Sequence, residues 1–253
     1  MQDGSLIPRF GRARRDATLA VLEGFHPLKH ALRFGAHVIE AVCRDRGELD
    51  ALALRLAPDV RVQMGELARE IDPEVFDKLA PLAPTTGVMS LARRPQVDVT
   101  TALADPRSTP LIVLENPRDL GNLGACVRVA AAADAAGVIA TGSHDPWHPD
   151  ALRGAAGLHF ALPVARVAQI AALAGDERDL VALDPDGEEL DPASLPARAL
   201  LAFGSERDGL SDELLARAQR RVRIPMRKGV SSLNLATSVA AVLFAWRLAG
   251  RAD

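Results

Sequence analysis

A chain of 253 residues has room for one large or two modest domains, and a formal net charge of −3 argues against a nonspecific nucleic-acid coat protein. No stretch reaches the roughly 18 uncharged apolar residues of a membrane span, and the cysteines Cys43 and Cys126 lie far apart with no Cys-x-x-Cys pair, against a disulfide framework or a zinc site. The opening residues lack an apolar signal core and read as a polar arm carrying Pro8, Arg9, Arg12, Arg14 and Arg15, so a cytoplasmic location is expected. These arginines, with Arg93 and Arg94, form either a local basic patch or a solvated arm; both readings stand on charge alone.

The first 97 residues alternate short elements. Leu19 to Leu22 reads as a strand ended by Glu23-Gly24, and Pro27 suits the first turn of a helix running to Phe34. His37 to Val42 alternates as a strand does, Glu48 to Ala57 is helical, and Val60 to Val62 is expected to be extended. Gly65 to Leu79 holds one or two short helices, and Thr86-Gly87-Val88-Met89 returns to the sheet. This is a small α/β domain. Residues 98–108, rich in Pro, Asp, Ser and Thr, read as a linker.

Residues 109–253 are more regular. Strand 111–115 precedes a helix near 123–136, which Gly137 is placed to end in a left-handed cap. Val138-Ile139-Ala140, Leu158 to Pro163, Leu180 to Leu183 and Leu200 to Phe203 are apolar runs bounded by Gly, Pro or Asp. Ser211 is a good helix N-cap, with Asp212 and Glu213 in the first turn. Strands alternating with helices predict a mainly parallel sheet covered on both faces. In the last helix, expected over 232–249, Leu235, Val239, Val242, Leu243 and Trp246 recur at the steps of one packed face, while Ala236, Ala240, Ala241 and Ala245 permit close approach.

Three segments carry candidate chemistry. In Asn116-Pro117-Arg118-Asp119-Leu120-Gly121-Asn122-Leu123-Gly124 the glycines allow a ligand near the backbone and Asn122 offers a directional amide. Arg128 follows amid Ala125, Cys126, Val127, Val129 and Ala130; it either reaches a partner or a site, or snorkels to water. A dinucleotide fingerprint is absent, since the spacing is Gly-x-x-Gly. Phe203-Gly204-Ser205-Glu206-Arg207-Asp208-Gly209 puts a glycine and an acid at a strand end, where open α/β sheets bind ligands, and its flanks do not match an esterase Gly-x-Ser-x-Gly. Ile224-Pro225-Met226 through Gly229 to Ser231-Ser232-Leu233-Asn234-Leu235 opens an apolar helix with hydroxyls and amides. Capping by Ser231 or Ser232 accounts for part of that, but not for Asn234. His144 and His148 sit among Pro146 and Pro149, which favours a loop or RNA-facing segment over a metal face.

Taken in order, these segments resemble the three motifs of the SpoU/TrmH-type RNA ribose methyltransferases of the SPOUT superfamily. Asp145-Pro146, Arg153-Gly154-Ala155-Ala156-Gly157 and a Phe160–Pro163 strand are similar to the stretch between the first two motifs, although alanines stand where the family usually has a serine. Glu23-Gly24, Thr86-Gly87-Val88 and Arg94-Pro95 look similar to a ribosomal-protein L30e-like substrate-binding domain. The resemblance implies a trefoil-knotted α/β domain over 109–253 preceded by that small domain over 1–97. It implies S-adenosylmethionine as cofactor, a homodimer, no metal, and methylation of a ribose 2′-hydroxyl in RNA, with 23S ribosomal RNA favoured over transfer RNA. A catalytically inactive RNA-binding homologue is the alternative of a different class. By the same resemblance, Asn122, Arg128, Glu206, Ser232 and Asn234 form the catalytic set, and Phe203, Gly204, Ile224, Met226 and Leu233 line the cofactor site. The arginine is expected to act across the dimer.

Overall fold

The computed structural model of this protein describes residues 3–173 and 178–250. They divide into two compact units: one of residues up to Gln96 together with Trp147–Ala161, the other of Val97–Pro146 and the residues from Leu162 onward.

The first unit is a four-stranded sheet in the order β1-β4-β2-β3 (β1 Leu19–Glu23, β2 Val38–Cys43, β3 Ala68–Glu70, β4 Val88–Arg93), antiparallel except for the β2–β3 pair. The polar arm expected at the start is an amphipathic helix, α1 (Leu6–Ala13), whose Leu6, Phe10 and Ala13 join a core with Val21, Val42, Phe76 and Leu91. Two of its arginine charges are engaged in ion pairs. Arg9 meets Glu40 at 2.7 Å and Arg14 meets the buried Glu23 at 2.5 Å. α2 (Phe25–Arg33) and α3 (Arg46–Leu56) lie where expected, α3 starting two residues early because Asp45 accepts the Glu48 N–H. Val60 to Val62 is not extended. Val60 is the N-cap of α4 (Arg61–Leu67), and burial of Met64 on that helix outweighs the β-preference of the valines. α5 (Pro73–Phe76) is capped by Asp72, and α8 (Pro149–Gly154) packs on β1. Leu158 to Pro163 is not a strand either: Leu158–Phe160 forms a 3₁₀ turn, with Phe160 edge-on to Trp147 at 5.2 Å between ring centroids.

The second unit is a six-stranded sheet in the order β10-β8-β9-β5-β6-β7, with every neighbouring pair parallel. Its strands are β5 (Leu111–Leu114), β6 (Gly137–Ala140), β7 (Val164–Arg166), β8 (Leu180–Glu189), β9 (Leu200–Phe203) and β10 (Arg220–Arg223). Leu-Ile-Val-Leu, Gly-Val-Ile-Ala and Leu-Leu-Ala-Phe are buried at every position, as central parallel strands require. Arg-Arg-Val-Arg of β10 buries Val222 alone, which suits an edge. The segment read as a linker contains α6 (Val99–Leu103), capped by Asp98, and Ala102 enters the core of this unit. Arg178, 5% exposed, secures the segment by donating to the carbonyls of Leu103, Asp105 and Thr109.

α7 (Leu120–Ala132) begins three residues earlier than expected because the Asp119 carboxylate accepts the Asn122 N–H. It buries Leu123, Cys126, Val127 and Ala130, one face at helical spacing. Its left-handed exit is at Asp134 (φ 58°), not Gly137. Gly137 instead opens β6, where a Cβ would stand 2.9 Å from the Pro163 carbonyl oxygen. After α9 (Asp212–Arg217), capped by Ser211, the chain ends in α10 (Leu235–Ala249), which packs against α7. Leu235, Val239, Val242 and Leu243 are buried on α10, Trp246 is half-buried, and Arg247 donates to the Ala133 carbonyl at the end of α7. Among the described residues no helix is long and apolar enough to cross a membrane.

Candidate active site

The carboxyl ends of β10, β8, β9 and β5 lie along one edge of the second unit's sheet, the side on which open parallel sheets place ligands. A cavity of about 540 Å³ opens there. Asn122, Phe203, Gly204, Glu206, Ile224, Met226, Ser232, Leu233 and Asn234 line it, so three segments separated by up to about a hundred residues converge on one space. Leu183, Asp184, Pro185, Ser205, Gly209, Ser231, Leu235 and Ser238 complete the wall. Ser205, Gly209, Ser231 and Leu235 belong to the segments singled out in the sequence, whereas Leu183, Asp184, Pro185 and Ser238 were not read as site residues. The apolar run ending in Asp184-Pro185 was a signal for three of them, because the pairing of β8 with β9 stops at Ala182, just before it.

One hydrogen-bonded chain orders the polar side of the cavity. Asn234 is the N-cap of α10, its Oδ1 accepting the N–H groups of Ala236 (2.9 Å) and Thr237 (3.4 Å). The helix therefore begins at Leu235 rather than at the serines. With Oδ1 committed, Asn234 turns Nδ2 outward and donates to Asn122 Oδ1 at 2.9 Å. Asn122 must then present its own Nδ2, which donates to Glu206 Oε1 at 3.0 Å. The second Glu206 oxygen accepts the Arg118 N–H at 3.0 Å. Burial, the largest single influence on Glu206, pushes its carboxyl up; the Asn122 amide and backbone N–H groups outweigh it and hold the net value below the usual carboxylate range. Glu206 is thus an anion that orients two amides. The Arg118–Asp208 ion pair (2.5 Å) and the Glu115 carboxylate, which accepts from the N–H and hydroxyl of Ser211, tie the first two segments together.

Asn234→Ala is expected to cost about 1 kcal/mol of capping and lower the melting temperature by about 2–4 °C. Asn234→Asp retains the cap but cannot donate to Asn122. Near-native melting with lost activity is the expected result for it; melting curves and single-turnover assays check both.

Gly204 shapes the floor. Ser205 and Gly209 exchange backbone hydrogen bonds (3.0 and 3.2 Å), closing a tight turn with Gly209 at φ 67°. A Cβ on Gly204 would lie 2.0 Å from the Gly209 carbonyl carbon. The strand end is therefore bare backbone facing the cavity.

Arg128 stands apart. It is exposed on α7, does not line the cavity, and has no hydrogen bond or ion pair among the described residues. Six positions beyond Asn122, it lies about 9 Å along the helix and about 120° around it. Cys126, by contrast, is buried, and burial pushes its thiol far up, consistent with a small apolar core residue. His148 caps α8 by accepting the Asp150 N–H (3.2 Å), and among the described residues no cluster of His, Cys, Asp and Glu is arranged to hold a metal ion.

Known proteins resemble this chain in sequence and fold. The 23S rRNA (adenosine(1067)-2′-O)-methyltransferase of Streptomyces azureus is 28% identical over 240 residues, covering 91% of this chain and 87% of the relative. The 23S rRNA (uridine(2479)-2′-O)-methyltransferase of Streptomyces viridochromogenes is 29% identical over 232 residues, covering 87% and 79%. Among solved structures, the fold matches the AdoMet complex of the SpoU methyltransferase AviRb from Streptomyces viridochromogenes with a TM-score of 0.78, 23% identity and coverage of 97% and 98%. A crystal structure of an RNA 2′-O ribose methyltransferase matches with a TM-score of 0.71, 26% identity and 96% coverage of each chain. Residues 109–244, which hold all three converging segments, match the SpoU rRNA Methylase family, and the chain belongs to that family.

Proposed function

We propose that this protein uses S-adenosylmethionine to methylate a ribose 2′-hydroxyl of ribosomal RNA, 23S rRNA being favoured, in the cytoplasm. The observation that carries the reading is the convergence of the three segments on one cavity at the sheet's carboxyl edge. The relatives named as 23S rRNA 2′-O-methyltransferases support the substrate class.

The residues fit the cofactor. The cavity lies within the roughly 300–1,000 Å³ of small-molecule sites. Gly204 offers backbone without a side chain, while Leu183, Ile224, Met226 and Leu233 give apolar walls suited to a nucleoside and the carbon chain of its methionine portion. When bound, S-adenosylmethionine supplies an electrophilic methyl group on a sulfonium. The protein's task is then to position a ribose hydroxyl and stabilise the alkoxide that develops on it. Arg128 supplies a guanidinium cation that meets that oxyanion, while RNA phosphate or water takes the proton. Asn122, Asn234 and Glu206 hold one another in one hydrogen-bonding polarity, and the Ser232 hydroxyl on the cavity wall is assigned to the RNA in this reading.

Arg128 is exposed and lines no part of its own chain's cavity, so the reading includes a homodimer in which it serves the partner's site. The exposed face of α7 around Arg128 carries Gly121 and Ala132 with half-buried Ala125, and α10 exposes Thr237, Ala241, Phe244 and Leu248 at helical spacing. Two helices presenting small and apolar residues to solvent suit an interface between copies. A dimer at micromolar concentration is expected by light scattering; a monomer that retains cofactor binding would overturn this part.

The reading also includes a trefoil knot in the second unit, supported by the strand order and by α10 lying on α7. It includes an L30e-like RNA-binding first domain. Exposed Arg12, Arg15 and Arg93 near the β1–β4 end of its sheet support that role. The deciding experiment is transfer of tritiated methyl from S-adenosylmethionine to bulk RNA, followed by mapping of ribose methylation in rRNA and tRNA from cells with and without this chain. Methylation confined to tRNA would replace the substrate, and no transfer with intact RNA binding would leave a noncatalytic RNA-binding protein.

A further inference from the structure

The β8–β10 ladder contains a break. Arg221 of β10 pairs with Ala182 of β8, and the very next residue, Val222, pairs with Glu188. Residues 183–187 are thereby looped out of the ladder. Gly187 closes the excursion where the strands come so near that a Cβ would lie 2.6 Å from the Arg221 carbonyl carbon. Bulges re-aim side chains and occur beside active sites. This one carries Leu183, Asp184 and Pro185 to the cavity wall.

Asp184 is the unusual member. Its side chain is 11% exposed, yet its nearest cation, Arg221, is 3.9 Å away, beyond hydrogen-bonding reach. Oδ1 accepts the Asp186 N–H at 3.0 Å, and Oδ2 accepts no hydrogen bond among the described residues. Glu206, the other carboxylate on the cavity, already has both oxygens engaged. Between Leu183 and Pro185, Asp184 therefore brings a largely covered anion with spare acceptor capacity to the wall, which is unfavourable until a donor completes it.

We infer that the Asp184 carboxylate accepts hydrogen bonds from donor groups of the cofactor, its ribose hydroxyls or its α-ammonium, and so anchors it in the cavity. The inference rests on the S-adenosylmethionine reading above. Acids at the carboxyl ends of parallel strands bind ribose hydroxyls in other folds, and Leu183 and Pro185 flank the carboxylate with apolar surface against which the nucleoside can lie.

The test is calorimetric titration of the full-length protein with S-adenosylhomocysteine and with 5′-methylthioadenosine, which keeps the ribose and lacks the amino-acid tail. Asp184→Asn preserves shape, and Asp184→Ser keeps an acceptor for the Asp186 N–H should the first variant fold poorly. Either is expected to weaken S-adenosylhomocysteine by about 10–100-fold. An equal loss for 5′-methylthioadenosine assigns the contact to the ribose; a loss for S-adenosylhomocysteine alone assigns it to the ammonium. Wild-type affinity for both ligands in a folded variant overturns the inference. Failure of the wild-type protein to bind either ligand is a separate result, which sinks the cofactor reading and this inference with it.

Discussion

Arg128→Ala is expected to lower the rate of methyl transfer by about 10²–10³-fold, the usual cost of removing one preorganised stabiliser of a developing oxyanion. Cofactor affinity and folding should be unchanged, because Arg128 lines no part of its own chain's cavity and makes no hydrogen bond or ion pair among the described residues. Arg128→Lys keeps the charge and loses the planar fork, so measurable activity should survive. A lysine variant as inactive as the alanine variant, with RNA binding intact, would count against a purely electrostatic role. The same residue tests the dimer. Mixing inactive Arg128→Ala chains with inactive Asn234→Asp chains should restore part of the activity, because one site of each mixed dimer then has an intact rim and a partner arginine. No recovery in a confirmed mixed dimer would place Arg128 in its own chain's chemistry.

Gly204→Ala is expected to reduce cofactor affinity by about 100-fold or more. The added carbon would fall 2.0 Å from the Gly209 carbonyl carbon and 2.3 Å from the Leu210 nitrogen. Both are backbone atoms of a turn locked by the Ser205–Gly209 hydrogen bonds, so no flexible side chain can yield. The turn must open instead, at about 1–3 kcal/mol by the usual cost of overpacking, and the cavity floor moves with it. Calorimetry and thermal melting together check this. An alanine variant that binds cofactor normally would show that the floor tolerates displacement.

The strands of the second unit were legible because each is short, wholly apolar and bounded by Gly, Pro or Asp. A parallel strand buried on both faces leaves that mark in any sequence. Helix starts were legible only where the capping residue was recognised. Ser211 was; Asp119 and Asn234 were passed over, and both helices were displaced by three residues. Asn234 was singled out as a side chain that serine capping left unexplained. The structure resolves this by making Asn234 itself the cap, which is also what aims its amide at Asn122. The Leu158–Pro163 run failed as a strand because its aromatic packs on Trp147, a contact with no periodic trace.

By itself the sequence determined which residue types stand at the three turns that converge on the cavity, that two cysteines form no framework, and that the second half is a parallel α/β unit, since local composition and spacing encode these directly. Tertiary structure alone decided that the turns share one cavity, that the glutamate faces asparagines rather than a cation, and that the arginine faces outward. It also decided that residues 183–187 leave the ladder to bring Asp184 to the same wall. The reason is physical. Strand order and helix phase depend on how distant apolar faces pack, and that packing carries no signature in the spacing of neighbours along the chain.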